Sequence, residues 1–233
     1  MYIVPMQSRR DEPSNSSPTT GHRDVNPKAA VPIMLTAFVL CLMIDNGFKF
    51  MTSPIAHDLH LSENTASLQA SLAGIVIGIG AMVYAALADS VSIRTLLIIG
   101  MVLVGVGSLI GFLFHGVWPM VLTGRLIQTS GLACAETLYV IYVTKHLPEK
   151  DQKTYLGFST SAFQLAMLLG VLTSGVVATY ISWTAMFLVA LILVLTIPVI
   201  VRTVPAEETT QAHVDVLGLF LIAVFSLSLI HIS

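Results

Sequence analysis

The chain has 233 residues, of which 55% are hydrophobic and only 10% charged, and its mean hydropathy is +0.84. A soluble protein carries about 25% charged residues, so these figures exclude a water-exposed globular domain, a disordered chain and a disulfide-stapled secreted module. With a net charge of -2 and a pI near 6.4 the chain offers no strongly basic surface, so nucleic acid is not an expected partner. Its solvent is mostly lipid.

Residues 1–28 differ from the rest. Pro13, Ser14, Asn15, Ser16, Ser17, Pro18, Thr19 and Thr20 lack apolar periodicity, and the stretch reads as a disordered cytoplasmic tail. It is not a secretory signal, because no apolar core follows the arginines closely. A bilayer core about 30 Å thick needs about 20 apolar residues per spanning helix. Six such runs follow, at 30–53, 65–88, 95–114, 118–144, 155–179 and 182–201. The pattern predicts an all-α membrane protein, because helices satisfy every backbone group internally where lipid cannot. The expected organisation is a six-helix bundle over 29–202, a cytoplasmic linker over 203–214 and a truncated seventh span over 215–233. Cys41 and Cys134 lie inside apolar runs and read as small packing residues, with no disulfide and no metal site.

Lysine and arginine set the orientation. With the N-terminus inside, Arg9, Arg10, Arg23, Lys28, Arg94, Lys145, Lys150, Lys153 and Arg202 are all cytoplasmic, and the outer connections 57–64, 115–117 and 180–181 contain no Lys or Arg. The expected location is the plasma membrane, with the lipid bilayer as the chain's first partner. Small residues recur at helical spacing: Gly74 with Gly78, Gly107 with Gly111, and Ala166, Gly170 and Ser174 in sequence. Such spacing places small groups on one face and favours close helix packing. Pro54 and Pro119 read as helix terminators or starters.

Lys49 and Arg125 are the two basic residues left within the spans, beside the acidic Asp45 and Glu136. Each such charge costs about 2.5–3.5 kcal/mol at a helix centre, which makes it a functional candidate by default. Asp45 and Lys49 are four apart on one helical face. Arg125 and Glu136 are eleven apart, about three turns, and share a face as well. Asp45 and Lys49 fall in the outer half of the first span, Arg125 in the outer half of the fourth and Glu136 in its inner half. Pairing of Asp45 with Arg125, or of Lys49 with Glu136, is conceivable, and depth favours the first. One reading is an ion pair that fixes helix register; the other is a polar cavity in which protonation of Asp45 or Glu136 changes the pairing. Asn46, Gln69, Gln128, Tyr139 and Gln164 either line that cavity or form inter-helix hydrogen bonds.

The loop after the second span reads Tyr84-Ala-Ala-Leu-Ala-Asp89-Ser-Val-Ser-Ile-Arg94; at Leu87, Asp89 and Arg94, with Ala85 and Ser92 where glycines are usual, it resembles the signature loop of the major facilitator superfamily. An Asp and an Arg so spaced can form a charge-assisted cytoplasmic latch that stabilises one access state. The fourth span is similar to the family's Arg-x-x-Gln-Gly-x-Gly element at Arg125, Gln128 and Gly131, with Thr129 replacing one glycine. The resemblance implies a part in proton coupling for Arg125. The fifth span resembles the drug/proton antiporter element at Gly170 and Gly175, with Ala166 and Ser174 as small substitutes and Val171 in place of the proline. A short connection to His213-Val-Asp215-Val-Leu-Gly218 resembles the fourteen-helix drug/proton branch, especially the Gram-positive tetracycline exporters.

The resemblance implies a secondary transporter built as two six-helix halves rocking about a midplane site. Protons would be the coupling ion, with no other cofactor and no metal. Besides lipid, the implied partners are a small-molecule substrate and a second half outside this chain, without which no transport is expected. Three functions stand at this point: proton-coupled efflux of a drug or other amphipathic compound, movement of a metabolite by the same fold, and an intramembrane enzyme. The last would need a nucleophile such as Ser159 in Gly157-Phe-Ser159-Thr-Ser161, yet all histidines but His231 lie in the tail or loops.

Overall fold

The computed structural model describes residues 27–205. The expected tail before Pro27, all but the first residues of the expected linker, and the expected seventh span lie outside the described residues, as do His213, Asp215, Gly218 and His231. The described chain forms α1 (Val31–Lys49), α2 (Thr52–Asp58), α3 (Glu63–Leu87), α4 (Ile93–Leu113), α5 (Trp118–His146), α6 (Glu149–Tyr180), α7 (Ala185–Leu191) and α8 (Ile197–Thr203). Two 3₁₀ turns, Pro27–Ala29 and Ile192–Thr196, complete it. Among the described residues six segments are long and apolar enough to cross a bilayer: α1, α3, α4, α5, α6 and the combined stretch Ala185–Thr203. This is an all-α, multi-pass membrane protein.

The helix ends follow from local chemistry. Pro32 and Pro119 occupy the first turns of α1 and α5, where a missing N–H costs nothing. Ser62 and Ser92 cap α3 and α4 by accepting from the Thr65 and Thr95 amides at 3.1 and 3.3 Å. Pro54 starts a helix, in the first turn of α2. That helix closes with His60 in the left-handed region at φ 52°, and the Leu61 amide reaches back to the Ala56 carbonyl at 2.9 Å.

Two apolar runs are less regular than hydropathy predicts. The first breaks at Phe50–Met51, where the amides turn to carbonyls three residues back, Phe50 to Gly47 and Met51 to Phe48. The Phe48 carbonyl also accepts from Gln69 Nε2 at 2.8 Å, so a side chain from α3 enters the ladder at the break. The sixth tightens into the 3₁₀ turn Ile192–Thr196 just before Pro198, which has no amide to donate.

Helix α5 is the hub, packed against α4, α3 and α1, while α6 lies along α1 and α7 along α4. Glycines set the closest approaches. A Cβ at Gly124 would stand 2.6 Å from the Gly111 nitrogen and 2.7 Å from the Gly107 carbonyl oxygen, so α4 and α5 touch backbone to backbone. Gly170 serves α6 in the same way, its Cβ position being 2.9 Å from the Met43 carbonyl oxygen of α1.

Gly74, Gly78 and Gly175 depart from the packing expectation: no described atom lies within 4 Å of where their Cβ would be. The covered face of α3 runs through Ala66, Gln69, Ala73, Gly80 and Tyr84, and Gly74 and Gly78 sit off it. On α6 the covered face runs through Ala162, Ala166, Gly170, Ser174 and Val177, and Gly175 is one residue around from it.

Lys28, expected to end the tail, is instead in the first 3₁₀ turn and pairs with Asp151 of α6 at 2.7 Å. The hydrogen bond and charge of Asp151 raise the Lys28 pKa above its ordinary value.

Candidate functional site

The spans converge on a charge buried where α1 crosses α5. Arg125 and Asp45 are only 1% and 2% exposed. Arg125 Nη2 donates to Asp45 Oδ1 at 2.5 Å, and Lys49 Nζ lies 2.8 Å from Oδ2 of the same carboxylate. Arg125 uses its whole fork: Nη1 donates to Gln128 Oε1 at 2.8 Å and Nε to Gln69 Oε1 at 3.4 Å. Gln128 Nε2 donates onward to Ser108 Oγ at 2.9 Å, and Ser108 donates to the Val104 carbonyl at 2.6 Å. The Phe48 ring covers the guanidinium, with the central carbon 4.5 Å from the ring centroid. Four spans thus meet in one hydrogen-bonded unit.

The i,i+4 spacing on α1 lets one carboxylate face Arg125 while Lys49, at 45% side-chain exposure, reaches it from the open side. Lys49 also donates to Asn46 Oδ1 at 3.3 Å. Of the groups identified in the sequence, Asp45, Asn46, Lys49, Gln69, Arg125 and Gln128 join this unit, and Glu136, Tyr139 and Gln164 do not. Glu136 stays apart because eleven residues of α5, about 16 Å at 1.5 Å each, separate it from Arg125. It is exposed and has no hydrogen-bond or ion-pair partner among the described residues.

Glu136 opens instead into a hollow of about 390 Å³ between α1, α3 and α5. Asp45 enters the lining from α1 and Glu136 and Thr137 from α5, but the wall is otherwise apolar, with Phe38, Ile77, Leu132 and Ile141 prominent. Tyr139 donates across to the Tyr155 carbonyl of α6 at 2.7 Å, an inter-helix bond, and Asn46 donates to the Leu42 carbonyl of its own helix at 2.9 Å. Gln164 is exposed on α6 and is not in this lining. The Ser159 hydroxyl donates to the Leu156 carbonyl of its own helix at 2.6 Å.

The expected Asp89–Arg94 latch is replaced by another pair. Asp89 Oδ1 accepts from Lys145 Nζ at 2.8 Å, and the same ammonium donates to the Ala88 carbonyl at 2.9 Å. The reason is packing: α3 and α5 run side by side, so Lys145 in the last turn of α5 arrives at the end of α3. Arg94 lies in the first turn of α4 and makes no ion pair among the described residues.

The sequence reading missed Ser108 and Phe48. A serine among glycines in an apolar run signals only small size, and one phenylalanine among many carries no mark of a cation above its face.

The description of the Major Facilitator Superfamily fits residues 33–230, most of the chain. The chain belongs to the Major Facilitator Superfamily. Among solved structures it is similar to the crystal structure of a D-xylose-proton symporter, with a TM-score of 0.61 and 17% sequence identity over 88% of this chain and 53% of that one. The chain therefore spans about half the length of the structure it matches. At this identity the likeness is one of fold, and the described spans are a six-helix N-terminal half of a facilitator.

Proposed function

We propose that the chain forms one six-helix half of a secondary transporter that exports drugs or other amphipathic small molecules from the cell in exchange for protons. Family membership supports transport over catalysis. The observation that carries the coupling is the Asp45–Arg125 pair, buried on the margin of an apolar cavity. A buried pair adds little net stability against an apolar alternative, so its presence favours a switching role. Protonation of Asp45 removes the counter-charge of Arg125 and Lys49 together. That changes the cost of keeping α1 and α5 closed on each other and links proton binding to the access state.

In this reading the protein sits in the plasma membrane with its N-terminus in the cytoplasm, as the Lys and Arg distribution favours. Asp89 and Lys145 then tie α3 to α5 at the cytoplasmic end. The partners are the substrate, the bilayer and a second six-helix half; protons are the coupling ion.

A second reading, import of a metabolite by the same fold, is favoured by the likeness to a D-xylose-proton symporter. A polyhydroxylated ligand needs many hydrogen-bonding side chains, whereas the lining of this cavity is mostly aliphatic. That contrast supports the amphipathic substrate.

Everted membrane vesicles carrying the transporter test the coupling. An imposed proton gradient is expected to drive accumulation of a fluorescent amphipathic dye, and Asp45→Asn is expected to abolish that accumulation. Unaltered accumulation by the variant would remove Asp45 from the mechanism.

A further inference from the structure

Helices α3 and α4 are consecutive in the chain and both pack on α5, but hardly on each other. Between them runs a groove of about 390 Å³, walled by α3 and α4 and floored by Ser130 of α5. Its walls are mostly aliphatic, with Ile79, Val83, Leu96 and Leu103 prominent, and the Ser130 hydroxyl is spent on the Ile127 carbonyl at 2.7 Å. The groove lies on the far side of α3 from the cavity between α1, α3 and α5. Ile77 and Ala81 line that cavity. Ile79 and Val83, each two residues on and so about 200° around the helix, line the groove. A second six-helix half closes over the cavity side, which leaves the groove side to the bilayer. The groove is continuous with a bilayer-facing stripe of α4: Ile99 in its wall is followed by Val102, Val106 and Leu109, all 45% to 48% exposed. Its length matches one leaflet. On α3 the lining runs from Val76 to Leu87, eleven residues or about 16 Å, against about 15 Å for half of a bilayer core about 30 Å thick. On both helices it occupies the half nearest the turn that joins them.

We infer that this groove is a lipid site, holding one acyl chain of a phospholipid from the leaflet on the side of the α3–α4 turn. The inference takes from the proposed function only the second half over the cavity, and does not depend on what the transporter carries. Walls this apolar give water almost nothing to bond, and an unfilled groove forfeits the dispersion contacts of its lining. Lipid tails are as apolar as the walls, so the preference comes from fit and not from escape from water. A chain in the groove is touched by α3, α4 and α5, whereas one lying against Val106 is touched on one side, so the groove chain exchanges more slowly. The headgroup is left unselected. Asp89 and Lys145 at that end already pair with each other, and Arg94, two residues before Leu96, lies on the other side of α4.

Phosphatidylcholine with a diazirine midway along one acyl chain is the probe, with the protein in nanodiscs and labelled residues located by peptide mass spectrometry. Irradiation is expected to label Val83 and Leu103 more heavily than Val106. Val83→Trp, which fills the groove, is expected to lose the label at Leu103, while Val106→Trp keeps it. Leu103→Trp fills the groove from the opposite wall and is expected to lose the label at Val83, so the test survives if one variant fails to fold. Phosphatidylglycerol with the same chain is expected to give the same pattern. Groove labelling no heavier than at Val106, labelling that survives the filling variants, or labelling by only one of the two headgroups would each overturn the inference. In cells fed the corresponding diazirine fatty acid the groove residues are expected to be labelled as well. Their protection there, with labelling retained in nanodiscs, would assign the groove to a protein neighbour and overturn the lipid assignment without touching the proton-coupling proposal.

Discussion

The two halves of α5 handle charge in opposite ways. Around Arg125 and Gln128 the helix is sealed: both side chains are at most 1% exposed and the guanidinium has a partner in every direction. Three turns on, Glu136 and Thr137 face a hollow, and the carboxylate has no counter-ion among the described residues. One helix thus carries a closed charge and an open one. A buried charge with all its partners can store a conformational preference, whereas an uncompensated charge in a cavity can recognise something that arrives.

The sharpest way to break this comparison is to neutralise each charge in turn. Arg125→Leu leaves Asp45 with Lys49 as its one cation and strips Gln69 and Gln128 of a buried partner, and a loss of about 3 kcal/mol is expected. Glu136→Gln removes no described contact and should change stability by no more than about 0.5 kcal/mol. Thermal unfolding of the two variants in one detergent measures both; equal losses would mean that Glu136 is as fully engaged as Arg125.

The packing around the sealed half gives the next effect. Gly124→Val drives a side chain into the Gly107 and Gly111 backbone and should cost about 1–3 kcal/mol. Gly78→Ala meets open space among the described residues and should be neutral or stabilising, by up to about 1 kcal/mol, through helix propensity. A Gly78→Ala protein as damaged as Gly124→Val, judged by folded yield and melting temperature, would place an unseen neighbour on that face of α3.

The smallest effect belongs to the surface. Lys145 and Asp89 are 41% and 73% exposed, so Asp89→Asn should cost about 0–1 kcal/mol, and less as salt is raised. A loss that salt does not diminish would mean that the pair acts through geometry rather than charge.

Much of this was legible in the sequence, and for stated reasons. Lipid allows few secondary structures, so hydropathy alone yields six spans. Charge in hydrocarbon is costly enough that Asp45, Lys49, Arg125 and Glu136 stand out, and helix rise places Asp45 level with Arg125. Helical spacing shows which residues share a face but not which faces are covered, and for that reason it did not show that Gly74, Gly78 and Gly175 meet no neighbour among the described residues. The partner of Asp89 was illegible because Lys145 is 56 residues away and only the side-by-side run of α3 and α5 brings it there. The break at Phe50–Met51 depends on Gln69 reaching a carbonyl of another helix, which no local pattern records.

The indole of Trp183 donates to Asp58 Oδ2 at 2.9 Å, joining the end of α2 to the turn that precedes α7. The chain has only one other tryptophan, Trp118 at the start of α5. Trp183 is 3% exposed, so its emission is set by this carboxylate and the neighbouring Phe187 ring rather than by bulk water. With Trp118 replaced by phenylalanine, the protein would carry a single built-in fluorophore that reports, without any attached dye, whether that end of the bundle parts.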